Sequence, residues 1–144
     1  MKTSAMIAAM LMLSMTSPGA QEDAVVKAFE HYEGIRVALS SDRFTDVAGH
    51  AGALAPMVEG IAGAAAKAAV DALQRATDIK QAREHFGTLS TALIPAFEKR
   101  ALDDVYFYRC SMVNQSWAQR GKLVQNPYMG SAMAACGSPL KPTK

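Results

Sequence analysis

Between Glu22 and Phe97 the apolar residues recur at helical spacing, and after Asp103-Asp104 that spacing stops. This change of pattern constrains the fold more than any other feature of the chain. Val25, Ala28, Phe29, Tyr32, Ile35, Val37, Ala38 and Leu39 keep an i, i+3, i+4, i+7 recurrence. They predict an amphipathic helix from Glu22 to Ser40 with Phe29 and Tyr32 facing inward. Ser40 and Ser41 can stop it, and Ser41 or Asp42 can cap the next helix. From Arg43 to Arg75 the chain is rich in Ala, with Gly49, Gly52, Gly60 and Gly63 interspersed. Pro56 lacks the N–H that a helix interior uses, so one helix should end near Ala55 and another start at Pro56 and run to Ala76. The second carries the stripe Val58, Ile61, Ala65, Ala69 and Leu73. Thr77-Asp78 with Gln81 reads as a capping box. Ile79, Ala82, Phe86, Leu89, Leu93 and Phe97 then form the stripe of a further helix, whose last turn Pro95 disturbs.

The expected fold class is mainly all-α, an antiparallel bundle of three to four helices joined by short connections. A loop-rich C-terminal segment packs on it. Within that segment Val105-Tyr106-Phe107-Tyr108 is β-prone and suits a short strand. Asn114, Gly121, Asn126-Pro127, Gly130 and Gly137-Ser138-Pro139 are turn formers, and Pro139 to Lys144 reads as a frayed tail. A length of 144 residues allows one domain. A hydrophobic content of 50% excludes a disordered chain, and a net charge of +2 is too small for an electrostatic grip on nucleic acid.

Residues 1–20 carry a different message. Lys2 precedes an apolar run from Ala5 to Met15, followed by Thr16-Ser17-Pro18-Gly19-Ala20. That is the layout of a secretory signal peptide, and the run is too short to span a membrane. The expectation is an exported single domain over 21–144, not inserted in a membrane once the leader is gone. Five of the nine methionines leave with the leader, and Met57, Met112, Met129 and Met133 stay. Three of these four, and both cysteines, fall within residues 105–137.

This concentration of sulfur is where chemistry is expected. Thiolates and thioethers are soft donors that favour Cu(I) over hard cations. Cys110 and Met112 are two apart, so an extended segment would project both to one face. Met133 and Cys136 are three apart, so one helical turn would bring them together. The four make a Cys₂Met₂ set, with Met129 as an auxiliary donor. The alternative is a Cys110–Cys136 disulfide, the ordinary fate of two cysteines in an exported protein. Met112 and Met133 would then be core fillers. The residues alone are consistent with either state.

Other residues invite less. His31, His50 and His85 border apolar stripes and read as boundary histidines; a nitrogen ligand from one of them would need the bundle to bring it onto the tail. Glu30, Glu33, Asp103, Asp104, and Arg83 with Glu84 read as solvated helix-surface or cap charges. Trp117 and Tyr128 read as aromatic anchors that pin the loop to the bundle. No G-x-S-x-G, G-x-G-x-x-G or Walker pattern occurs, so no enzyme is expected. A third reading is an oxidoreductase helper using the Cys pair, but the cysteines are separated by 26 positions, with no C-x-x-C and no helix N-terminus evident beside Cys110, so nothing in the sequence indicates a lowered thiol pKa.

The tail from Tyr106 to Gly137 also resembles a known signature. A bacterial periplasmic family catalogued as a domain of unknown function carries an aromatic stretch, C-P-M, a Trp, N-P-Y-[YF]-G and M-x-x-C-G. The matching residues here are Tyr106-Phe107-Tyr108, Cys110-Ser111-Met112, Trp117, Asn126-Pro127-Tyr128-Met129-Gly130 and Met133-Ala134-Ala135-Cys136-Gly137. Ser111 stands in place of the Pro, and Met129 in place of an aromatic residue. The helical part is similar only loosely, in Tyr32, Leu39 and the segment from Ala82 to Leu93. The family occurs alone and appended to periplasmic adaptor subunits of copper/silver efflux systems. The resemblance implies a periplasmic Cu(I)-binding protein that buffers the ion or delivers it to an efflux adaptor or another periplasmic metal carrier. The residue-level alternative is a disulfide-stapled helical interaction module without metal.

Overall fold

A computed structural model describes residues 18–141. The leader expected over 1–20 therefore lies outside the described residues, except for Pro18–Ala20, which open the first helix. Helix α1 spans Pro18–Ser40, α2 Val47–Arg75 and α3 Ile79–Arg100, and a short 3₁₀ turn at Phe44–Asp46 leads into α2. The inward stripe of α1 is as expected: Phe29 is 1% exposed and Tyr32 is fully covered. The α1 stripe meets Ala82, Phe86, Leu89, Leu93 and Phe97 of α3 and the buried face of α2 in one core.

The capping box at the start of α3 forms as its sequence implies. Asp78 Oδ1 accepts from the Gln81 amide at 2.9 Å, while Gln81 Nε2 reaches back to Thr77 Oγ1 at 3.0 Å. The expected cap at Ser41 or Asp42 does not form. Asp46 occupies the position before α2 without a side-chain capping bond, its carboxylate pairing with Arg43 instead, and the Asp42 carboxylate is engaged elsewhere.

The break expected at Pro56 lies seven residues later, at Gly63, so the bundle has three helices with one of them kinked. Pro56 sits inside α2, and it and Gly52 are on the exposed face. The Gly52 carbonyl, whose helical donor Pro56 removes, therefore faces water, which lowers the cost of the missing bond. Gly63 has φ 80° and ψ −173°, a conformation essentially closed to residues with a Cβ. The kink also shifts the phase of the stripe. After Val58 the buried positions are Ala66, Ala69, Val70 and Leu73, and Ala65 is exposed. Among the described residues one helical stretch, Phe44–Arg75, is long and apolar enough to cross a membrane by length and composition. Its inner face belongs to the core, and its outer face is mostly Ala and Gly.

The C-terminal segment is more regular than its composition suggests. Strand β1 spans Val105–Cys110, β2 Gln115–Arg120 and β3 Ser138–Pro139, in the antiparallel order β2-β1-β3. Residues Ser111–Asn114 turn the β1–β2 hairpin, with Asn114 left-handed at φ 54°. Strand β2 is hidden in the sequence because Gln115-Ser116-Trp117-Ala118-Gln119-Arg120 has no apolar alternation, and one of its buried positions is polar, Gln119. The tail is not frayed at its start. Ser138 and Pro139 pair with Arg109 and Tyr108, and the Leu140 amide donates to Phe107 O at 2.8 Å. Strand β2 packs on α3, where a Cβ on Gly87 would come within 2.7 Å of the Gln115 side chain.

The position of the kink is testable. Gly63→Ala should lower stability by about 1–3 kcal/mol, because it forces a Cβ into the glycine-only region. Pro56→Ala, which restores a helical donor, should raise stability. Urea unfolding followed by far-UV circular dichroism separates the two, and a kink at Pro56 would reverse the order.

Candidate functional site

The segment after β2 has no helix or long strand to satisfy its backbone, so buried polar side chains do that work. Asn126 is fully covered. Its Oδ1 accepts from the Tyr128 and Met129 amides at 2.8 and 3.2 Å, and its Nδ2 donates to Cys136 O at 2.5 Å. Its own amide donates to Ala134 O at 2.7 Å, so one residue fastens both ends of the loop 126–136. Gln119 does the same for the preceding turn. Its Oε1 accepts from Trp117 Nε1 at 2.9 Å and from the Gln125 amide at 3.1 Å, and its Nε2 donates to Gly121 O and Leu123 O.

Two arginines tie this loop to the helices. Arg36 is 2% exposed, bonds Glu33 with two parallel N–H···O contacts at 2.8 Å, and donates to Gln125 O at 3.0 Å. Arg83 donates to Pro127 O at 2.9 Å, to Leu39 O at 2.8 Å and to Asp42 Oδ1 at 2.6 Å. Arg83 and Glu33 are therefore not simple solvated charges. The other Asp42 oxygen accepts from the amide and hydroxyl of Ser131. Hydrogen bonds from Ser131, then that from Arg83, hold the Asp42 carboxyl at about 2, below its ordinary 3.8. Gly130, at φ 64°, lies so close to Asp42 Oδ1 and Arg83 Nη2 that a Cβ has no room there.

The aromatic residues complete the frame. Trp117 is fully covered and stacks on Tyr108 at 5.6 Å; Tyr128 is 7% exposed and meets Trp117 at 6.0 Å and Phe86 at 5.9 Å. Tyr128 also donates to Ser116 O at 2.5 Å. Gly137 lies against the indole, where a Cβ would come within 2.5 Å of Trp117 Cη2.

This frame brings Cys110 and Cys136 together. Both are free thiols; Cys110 is fully covered and Cys136 half-buried. Burial pushes the Cys110 thiol up, but hydrogen bonds from the Val113 amide, the Asn126 side chain, the Met112 amide and the Cys136 thiol outweigh it. The net direction is down from 9.0. The sequence carries no sign of this shift: the hairpin turn supplies the N–H donors that a helix N-terminus would otherwise provide. The same turn overturns the expected geometry of Met112. The strand ends at Cys110, so Met112 lies in the turn and is 61% exposed.

Met133 closes a 3₁₀ turn, Gly130–Met133, and the Cys136 amide donates to Met133 O at 3.0 Å, while the Met133 side chain is 41% exposed. Met129 is partly buried against the core. His31 and His50 face one another with ring centroids 6.3 Å apart. Among the described residues no group of three or more His, Cys, Asp or Glu is placed to hold a metal. No family model matches the chain, and no curated protein or solved structure matches it either.

Sequence reasoning missed Arg36, Asp42, Arg83 and Gln119. No spacing rule signals a buried arginine or a glutamine that closes a turn. Gly130 and Gly137, noted as turn formers, matter chiefly because a charged pair and an indole approach their backbone.

The close approach at Gly137 and the depressed Asp42 carboxyl can each be checked through Trp117. Gly137→Ala should displace the indole, lowering stability by about 1–3 kcal/mol and red-shifting the emission of this single tryptophan. Because the Asp42 pKa is depressed, its contribution is fully present above 3.8 and is lost as pH falls toward about 2. An acid titration of Trp117 emission should therefore show a step in that window that Asp42→Asn lacks.

Proposed function

We propose that this chain is a periplasmic Cu(I) carrier, not an enzyme, which buffers the ion or passes it to a copper efflux adaptor or another periplasmic metal carrier. The observation that carries the reading is the β1–β3 register, Ser138 on Arg109, which sets Cys136 beside Cys110, and the turn amides favour the Cys110 thiolate. Two adjoining thiolates are a fitting donor pair for a soft, low-coordinate cation. Met112 and Met133 neighbour the cysteines in sequence and are exposed, so they are accessible as thioether donors, with Met129 as an auxiliary. Transfer proceeds by ligand exchange: soft donors on the recipient replace these groups one at a time. The resemblance of the tail to the periplasmic family associated with copper/silver efflux adaptors points the same way, and a leader over 1–20 would deliver the protein to that compartment.

Reduced protein should compete with a chromogenic Cu(I) chelator at one ion per chain. Cys110→Ser or Cys136→Ser should abolish competition, and Met112→Ala with Met133→Ala should weaken it by roughly tenfold. Absence of competition by reduced wild type sinks the reading. So does retention of full affinity when either cysteine is removed.

The same juxtaposition favours a second reading, a disulfide-stapled interaction module without metal. Its binding face would be the open groove of about 560 Å³ lined by Val105, Tyr106, Phe107, Pro139 and Leu140. Protein recovered from the periplasm would then contain no free thiol, and Cys110→Ser would cost about 3–4 kcal/mol.

A further inference from the structure

The pairing of Ser138 with Arg109 sets Cys136 beside Cys110 at the end of β1, but the two thiols are not equivalent. Cys136 comes after the 3₁₀ turn Gly130–Met133 and is half-buried, so it is the more accessible of the two residues. Cys110 is fully covered at the end of β1. The backbone around each is held: the hairpin fixes Cys110, and Asn126 bonds the Cys136 carbonyl. One accessible sulfur with a second sulfur fixed behind it is the arrangement that thiol–disulfide exchange requires, since the first forms the mixed disulfide and the second resolves it. A staple serving stability alone has no need of this asymmetry.

We propose that Cys136 and Cys110 form a metal-independent thiol–disulfide exchange pair, with Cys136 attacking an incoming disulfide and Cys110 resolving the intermediate. The oxidant is a small-molecule or protein disulfide. Cys136 Sγ bonds to one of its sulfurs, the disulfide bond breaks, and the first thiol leaves with the electron pair. Cys110 Sγ then bonds to Cys136 Sγ and expels the second thiol. The dithiol becomes a disulfide, the incoming disulfide becomes two thiols, and the two protons of the pair end on those products.

The test uses reduced, metal-free protein with glutathione disulfide, read by intact mass spectrometry over time. Wild type should pass to the internal Cys110–Cys136 disulfide. Cys110→Ser should accumulate the glutathione adduct on Cys136, and Cys136→Ser should react at least about tenfold more slowly because Cys110 is covered. Dithiothreitol should reduce the oxidised wild type without unfolding it. The same variants in urea control for misfolding: the difference in rate between them must vanish there and be present without denaturant.

Equal rates for the two variants under native conditions overturn the proposal. So does wild type that stops at a mixed disulfide, or an internal disulfide that is reduced only after unfolding, which marks a plain staple. No copper enters the experiment, so its failure leaves the carrier reading standing, and failure of chelator competition leaves this one standing.

Discussion

The hydroxyl of Tyr32 joins the helical body to the sheet. It lies within 2.8 Å of Ser90 Oγ on α3 and accepts from the Ala118 amide of β2 at 3.1 Å, while its ring stacks on Phe86 at 4.9 Å and meets Phe97 at 5.1 Å. Burial pushes this phenol far above its ordinary value, so it stays neutral and keeps a proton to share. A buried hydroxyl is tolerated when its hydrogen bonds are made, and those of Tyr32 can be made only if α1, α3 and β2 hold one arrangement. The position of β2 then determines the register of β1, and β1 ends on Cys110.

From there the tail is assembled by close approaches. Trp117 needs a residue without a Cβ beside its indole, which Gly137 supplies one position after Cys136. The Asp42–Arg83 pair needs the same at Gly130. Asn126 bonds the backbone at both ends of the loop it begins. The N-P-Y-M-G stretch and the glycine after Cys136 thus have structural reasons that involve no metal and no partner. The cysteines are different: the β1–β3 register and the Asn126 bonds set the two side by side.

The helical body is legible in the sequence because periodicity, a capping box and aromatic positions agree with one another, from Phe29 and Tyr32 to the Thr77–Gln81 cap. Expectation and structure part where local chemistry and tertiary packing diverge. Pro56 is a strong breaker by composition, yet an exposed helical face accommodates it. Gly63 looks like one small residue among many, yet it takes the conformation that reorients the second half of α2. Strand β2 is unreadable because its buried glutamine serves a turn, so the apolar alternation that marks strands is absent. A pairing of the cysteines is open to inference from export and count alone. The unequal burial of the two sulfurs, and the turn amides directed at Cys110, depend on a hairpin whose second strand the sequence pattern conceals.

That turn bears on how the sulfur site works. Amides of Met112 and Val113 stabilise negative charge on Cys110, and a thiolate is the form required both for binding a soft cation and for attacking a disulfide. An inert thiol in a protein core would sit in apolar surroundings that raise its pKa; Cys110 is covered yet surrounded by donors. The proposed Cu(I) carriage and the proposed disulfide exchange would consequently draw on one local device. They exclude each other in time, since an oxidised pair has no thiolate to offer a metal. On those proposals, the redox state of Cys110 and Cys136 would decide whether the pair offers thiolates to a soft metal or is held as a disulfide.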